Sequence, residues 1–176
     1  MLETFRSAIQ KDQYESDWSY LTVKTIMETL IQTGLRSSEL AGLRLHDIDL
    51  ASSRLTVYLG KGRKSRVIGI PRSLIPILEA YLEHRLKITD GESFFLNGKQ
   101  LPLQPVNIAR MIKRISKRIG HPITAHGLRR TFATLNAEEG RPLHLIQKAL
   151  GHSDITTTQG YLMSDQEAVI EAMQDW

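Results

Sequence analysis

The chain has 176 residues, 41% hydrophobic and 24% charged, the balance of an ordinary soluble domain with room for one sizeable core. No apolar run approaches the length that spans a bilayer, and no charged-then-apolar segment at the start resembles a signal peptide. The lack of cysteine excludes disulfides, thiolate chemistry and cysteine-held zinc. These features predict one cytoplasmic domain over 1–176 with no membrane partner.

The formal net charge is +4 and the pI about 9.4, but the distribution says more than the total. From Ser93 to Ala137 there is no Asp or Glu, while Lys99, Arg110, Lys113, Arg114, Lys117, Arg118, Arg129 and Arg130 all fall there. A second basic cluster, Lys61, Arg63, Lys64 and Arg66, sits in a short connector. One-sided positive charge is the footprint of a nucleic-acid binder, or alternatively a solvated basic face.

In chain order, residues before Trp18 carry mixed charge and weak periodicity, which predicts a linker over 1–18. Val23, Ile26, Met27, Leu30 and Ile31 fall on one helical face, and Gly34 is placed to stop that helix. Ser37 or Ser38 is expected to cap a second, short helix with Leu40 and Leu43 inward. Leu55, Val57 and Leu59 alternate with Arg54, Thr56 and Tyr58, and Arg66 to Ile70 alternates again. The glycine-rich connector between them predicts a β-hairpin with a basic tip. Ser73 is expected to cap a helix with the stripe Leu74, Leu78, Tyr81 and Leu82, and Phe94 to Leu96 to form a third strand before an Asn97-Gly98 turn. Ile108, Ile112, Ile115 and Ile119 mark a helix beyond Pro105. A helix from Leu128 to Gly140 follows, then one with Pro142 at its first position that stops at Gly151. A helical turn over Thr157 to Tyr161 and a C-terminal helix over 166–176 complete the chain. The fold class is α+β, mostly α-helical with a small antiparallel sheet.

Taken singly, no polar residue here commands a function. Arg36 after a helix stop, Lys61 in a turn, His126 and Arg129 at i, i+3, and His152 beside Gly151 each have ordinary structural readings. Most tyrosines, Tyr161 included, would be packing residues. As a set they suit a phosphodiester. Negative charge that grows at phosphorus is best held by arginine, whose fork donates two hydrogen bonds and keeps its proton. A tyrosine hydroxyl needs a base or cationic field to become a nucleophile, and a leaving alkoxide needs a proton from lysine or histidine. Metal-ion phosphoryl chemistry would need clustered carboxylates. Asp47 and Asp49 come nearest and read as turn formers. His121, His126, His144 and His152 lack zinc-site spacing.

These residues resemble the tyrosine recombinases of the phage-integrase family. Thr33-Gly34-Leu35-Arg36-Ser37-Ser38-Glu39-Leu40 is similar to the family's first arginine motif, and Leu43 to Asp49 continues it. Gly60-Lys61-Gly62 and the basic strand after it resemble the hairpin carrying the catalytic lysine. His126-Gly127-Leu128-Arg129, followed by Arg130 to Thr134, resembles the His-x-Leu-Arg motif. Leu150-Gly151-His152-Ser153 resembles the Leu-Gly-His box, and Tyr161 stands nine residues after His152 as in the family. Gly127 replaces a commonly acidic residue, and Arg130 stands where histidine is common.

The resemblance implies a catalytic domain that cuts and rejoins DNA through a 3′-phosphotyrosine on Tyr161, with no metal, ATP or organic cofactor. Arg36 and Arg129 would clamp the non-bridging oxygens, with a further hydrogen bond from His152. Lys61 would be the general acid and His126 the general base. Arg63, Lys64, Arg110, Lys113, Arg114, Lys117 and Arg130 would bind DNA. Double-stranded DNA is the implied partner, with tetrameric self-association on it. It also implies a core-binding domain upstream, of which 1–18 would be the linker.

A DNA-binding regulator is the non-enzymatic competitor, because His144 to Leu150, the Gly151-His152-Ser153 turn and the next helix resemble a helix-turn-helix. That reading gives Arg36, the lysine hairpin and His126-x-x-Arg129 no task. A type IB topoisomerase would share the chemistry, but the Leu-Gly-His box and the simple hairpin argue against it.

Overall fold

The computed structural model describes residues 2–10, 14, 16–58, 65–151 and 164–175. Among them the helices are α1 (Leu2–Ser7), α2 (Asp17–Thr33), α3 (Ser37–Ala41), α4 (Ile75–Leu86), α5 (Pro105–Ile119), α6 (Ala125–Glu138), α7 (Leu143–Leu150) and α8 (Ser164–Gln174). Strands β1 (Ile48–Asp49), β2 (Arg54–Val57) and β3 (Arg66–Gly69) form one antiparallel sheet in sequence order. The expected class, mostly helical with a small antiparallel sheet, is what is observed.

Helix α2 is the central post, in contact with α3, α4 and α6. Ser16 caps it, its hydroxyl accepting from Ser19 N, and Gly34 ends it at φ 64°. The helix is buried on more than its apolar stripe. Thr25, Thr29 and Thr33 are buried too, each donating its hydroxyl to the carbonyl four residues back. This satisfies the groups that burial would otherwise penalise.

The sheet registers Leu55 against Ile68 and Val57 against Arg66, so Arg66 shares the inward face with Ile68. Helix α8 packs on β3. Val169, Ile170 and Met173 are buried, and a Cβ built on Gly69 would collide with the Ile170 carbonyl oxygen. Ion pairs Arg54–Glu167 and Arg72–Asp175 frame the contact.

Several local expectations are corrected. Residues 2–7 do not form a linker: Phe5 is fully buried, and Arg6 grips Glu28 of α2 through Nε and Nη2 at 2.9 and 3.0 Å. Weak periodicity hid this because the segment is anchored by one aromatic ring and one ion pair. The third strand is Ile48–Asp49, not Phe94–Leu96. Phe94 and Phe95 instead enter an aromatic cluster with Tyr81, and Leu96 makes an isolated bridge to Pro102. Ser73 donates its hydroxyl to Gln32 Oε1 at 2.8 Å, and α4 starts beyond it. Helix α6 starts at Ala125 rather than Leu128, capped by Thr124. Pro142 stands at the N-cap of α7, one position earlier than expected. The turn at Asn97 and the C-terminal helix are present. The turn expected over Thr157–Tyr161 lies outside the described residues.

Candidate active site

Four element ends converge to build the site. Gly34 turns the chain sharply after α2, which places Arg36 at the N-cap of α3. The expected cap, Ser37 or Ser38, lies one or two positions inside the helix. Glu39 reaches back and accepts from Arg36 N at 2.8 Å, the carboxylate half of a capping box. On α6, Arg129 lies one turn beyond the N-terminus with its side chain 8% exposed. The fourth end is the C-terminus of α7, closed by Gly151 at φ 66°.

Three guanidinium groups meet at one carboxylate. Arg66 makes a bidentate pair with Glu39, Nη1 to Oε1 at 2.9 Å and Nη2 to Oε2 at 3.0 Å. Arg36 Nη1 donates to Glu39 Oε1 at 2.9 Å, and Arg129 Nη1 stands 4.0 Å from Oε2. The carbonyls at the end of α7, which have no partner within the helix, accept from the same arginines. Ala149 O accepts from Arg66 Nε at 2.8 Å. Leu150 O accepts from Arg129 Nη2 and, at 3.5 Å, from Arg36 Nη1. Arg129 Nη1 also donates to Gly34 O at 2.6 Å, joining the ends of α2 and α7.

The cluster is electrostatically unfinished. Burial is the first cause pushing the pKa of Arg129 down, to about 10, and the charges of Arg36 and Arg66 add to it while Glu39 opposes. Burial works to raise Glu39, yet hydrogen bonds from Arg66 and Arg36 N outweigh it and hold the carboxyl below its ordinary value. Three cations and one anion remain, so an anion entering beside them would relieve like-charge repulsion as well as accept hydrogen bonds. The space exists: an open cleft of about 480 Å³ is lined by Arg36, Ser37, Ala125, His126, Arg129, Arg130, Ala133 and Leu150.

The structure thus brings Arg36, His126, Arg129 and Arg130 to one cleft. Arg110 and Arg114 line a separate depression of about 350 Å³ with Lys99, Asn107 and Thr22. Lys113 and Lys117 are exposed on α5. Lys61, Arg63, Lys64, His152 and Tyr161 lie outside the described residues. Two contributors were missing from the candidate residues, Glu39 and Arg66. The capping-box spacing from Arg36 to Glu39 and the strand alternation that turns Arg66 inward with Ile68 were the available signals. Among the described residues, no group of three or more His, Asp or Glu is arranged to hold a metal ion.

The sequence model of the Phage integrase family matches residues 4–168. The chain belongs to this family, the tyrosine recombinases. Within it, the chain is 40% identical over 144 residues to tyrosine recombinase XerD of Staphylococcus saprophyticus, covering 78% of this chain and 48% of that protein. It is 35% identical over 154 residues to tyrosine recombinase XerA of Pyrococcus furiosus, covering 86% and 53%. The fold matches the crystal structure of XerA recombinase with a TM-score of 0.77 and 31% identity, over 97% of this chain and 60% of that one. It also matches XerH site-specific recombinase bound to its difH substrate in a pre-cleavage complex, with a TM-score of 0.71 and 28% identity, over 87% and 45%. The chain spans about half the length of the curated relatives it matches.

Proposed function

We propose that this chain is the strand-cleaving and rejoining part of a site-specific DNA recombinase, working by transesterification through Tyr161. The observation that carries the reading is the cluster of Arg36, Arg66 and Arg129 around the single carboxylate Glu39, at the edge of an open cleft holding His126. That arrangement suits a phosphodiester in a family member. Guanidinium groups stabilise added charge at phosphorus only if they are held in place before the reaction. Arg129 is so held by Gly34 O and Leu150 O and keeps its remaining N–H donors for a phosphate.

The phenol oxygen of Tyr161 attacks phosphorus and its proton passes to His126. The bond from phosphorus to the 5′-oxygen breaks, and Lys61 protonates that oxygen. The product is a 3′-phosphotyrosine and a free 5′-hydroxyl. Arg36, Arg129 and His152 hold the non-bridging oxygens throughout. A new 5′-hydroxyl reverses the steps, and the phosphotyrosine conserves the bond energy, so no ATP, metal or organic cofactor is consumed. Double-stranded DNA is the proposed partner, with self-association on it as a tetramer and the cytoplasm as the compartment. Arg130 beside the cleft, Arg63 and Lys64 beside Lys61, and Arg110, Lys113, Arg114 and Lys117 on α5 are its proposed DNA contacts. Their phosphate contacts make binding weaken steeply with salt.

The test is covalent trapping in EDTA. Protein and nicked duplexes of randomised sequence are mixed and denatured, and adducts are mapped by mass spectrometry with Tyr161→Phe alongside. The expected result is an adduct on Tyr161 that the variant lacks. Salt-sensitive binding with no adduct would refute strand cleavage by this chain. The role of Lys61 has its own check: a 5′-thiol leaving group should restore Lys61→Ala, and restoration of Lys64→Ala instead would reassign the acid.

A further inference from the structure

Arg66 has no step in the chemistry proposed above, yet each of its three guanidinium nitrogens is engaged. Its side chain is 11% exposed, and Nε, Nη1 and Nη2 are all engaged, on Ala149 O and on the two oxygens of Glu39. Gly151 is shaped around it. A Cβ there would stand 2.8 Å from Arg66 Nη1 and 3.0 Å from Cζ, in a backbone conformation at φ 66° that side chains rarely adopt. Arg36 is held differently. Its side chain is 45% exposed, and it meets Glu39 through Nη1 alone, on the oxygen that Arg66 Nη1 also uses.

We infer that Arg66 is a positioning residue: by occupying both oxygens of Glu39 it keeps Arg36 from closing its own fork on that carboxylate, and so leaves Arg36 open to a phosphate. An arginine beside an unshared carboxylate forms the two-bond pair that planar geometry favours. With Arg66 present, Glu39 offers the Arg36 guanidinium the one oxygen shared with Arg66 Nη1, the other being taken by Arg66 Nη2 and Arg36 N, and the rest of the fork stays available to the cleft. The same side chain ties β3, the strand that follows Lys61 in sequence, to the end of α7, after which His152 comes next in sequence. Arg66 therefore joins β3, α3 through Glu39, and the end of α7. The inference rests on the reading of Arg36 as half of a phosphate clamp.

The test compares wild type, Arg66→Met, Arg66→Lys, Arg36→Ala and the double variant Arg36→Ala/Arg66→Met. Single-turnover cleavage of a nicked duplex is measured beside duplex affinity and thermal melting. Arg66→Met should slow cleavage by about 10- to 100-fold, the range of coupling between residues in one network. Affinity for the duplex should stay within about three-fold, since most phosphate contacts persist. Arg66→Lys, able to occupy only one carboxylate oxygen, should recover folding but little of the rate. The double variant should cleave no slower than Arg36→Ala, because the loss passes through Arg36. Multiplying losses, or full rate in either Arg66 variant, would overturn the inference; if Arg66→Met does not fold, Arg66→Lys decides. A second readout needs no cleavage: inorganic phosphate is titrated while the Arg36 Nε–H signal is followed by NMR. If wild type forms no adduct, the recombinase reading fails and this titration alone judges Arg66. Weaker phosphate response at Arg36 in the Arg66 variants supports the inference, and an unchanged response overturns it.

Discussion

Replacing Glu39 by glutamine keeps the shape of the side chain and removes its charge, and the structure sets the size of the consequence. The carboxylate accepts from Arg36 N and Nη1 and from both terminal nitrogens of Arg66, all within 2.8–3.0 Å, and its side chain is 6% exposed. Each oxygen accepts from two donors, so the NH₂ of glutamine, whichever oxygen it replaces, turns two contacts into donor against donor. Three guanidinium groups would then have no shared carboxylate among the described residues. The half-exposed Arg36 pair contributes under ~1 kcal/mol, so the buried Arg66 pair dominates. Breaking such a pair by removing one partner costs about 3–4 kcal/mol, which lowers the melting temperature of a chain this size by roughly 6–16 °C.

The pH dependence supplies an independent check on the cause. Burial would raise the pKa of Glu39, but the hydrogen bonds from Arg66 and Arg36 prevail and lower it. A carboxylate with a lowered folded pKa stabilises fully above its unfolded value of ~4.3 and loses that contribution as pH falls through the lower folded value. Glutamine does not titrate. Urea denaturation of wild type and Glu39→Gln from pH 7 to pH 3 should therefore show a stability gap that is flat down to about pH 5 and narrows below it. A gap under ~1 kcal/mol at pH 7, the value of an exposed pair, would refute the reasoning. So would a gap that stays constant into acid.

The remaining predictions separate chemistry from architecture. Arg36→Ala and Arg129→Ala should each lower cleavage by about 10²–10³-fold, as loss of an oxyanion donor does. In urea denaturation Arg36→Ala should be near neutral, whereas Arg129→Ala, which strands the buried Gly34 carbonyl and leaves Leu150 O only the long contact from Arg36, should cost about 2–3 kcal/mol. Equal stability of the two would contradict the burial difference. Gly34→Ala places a Cβ 2.6 Å from Phe132 Cδ1 and 2.8 Å from Leu150 Cδ2 at φ 64°. Overpacking there should destabilise by about 1–3 kcal/mol, and a neutral effect would mean that the α2 end and α6 are not in contact. Tyr81 has its pKa pushed up to about 12 by burial, only partly offset by the Leu96 N–H and by Arg85. Its contribution is complete below the ordinary phenol value of ~10 and is lost as pH rises toward the folded one. Ultraviolet titration should show one phenol ionising late, and Tyr81→Phe should remove it.

Helix stops read well from the sequence because they depend on local conformation, whereas the N-caps fall a residue or more from the expected positions. Gly34 and Gly151 are left-handed where the periodicity ended, and Asn97 makes the expected turn. Arg36, His126 and Arg129, which no local pattern singles out, stand together in the sequence through the family resemblance, and the structure brings them to one cleft. What stayed hidden depends on long-range packing. Nothing local distinguishes Phe94-Phe95 as an aromatic cluster from Phe94–Leu96 as a strand; the ring of Tyr81, 5.3 Å from Phe95, decides it. Phe5 and Arg6 looked like linker because their partners lie far along the chain. Arg66 groups in sequence with the basic residues of the connector, although Val57 opposite it and Ile68 on the same face mark its side as inward.

This distinction bears on how the site holds its charges. Each arginine of the cluster borrows an acceptor from the end of a helix: Gly34 O after α2, and Ala149 O and Leu150 O at the end of α7. These carbonyls carry the negative end of the helix dipole and would need partners in any fold. Using guanidinium groups as their partners satisfies the helix ends and fixes the cations together, so the geometry is supplied by the fold before any substrate arrives. It also explains the glycines. A side chain at Gly34 would push Phe132 and Leu150 apart, and one at Gly151 would push into Arg66. Either would separate the carbonyls from the arginines they orient. The two glycines act on the site through spacing alone, and their substitution should disturb Arg129 and Arg66 before it disturbs the core.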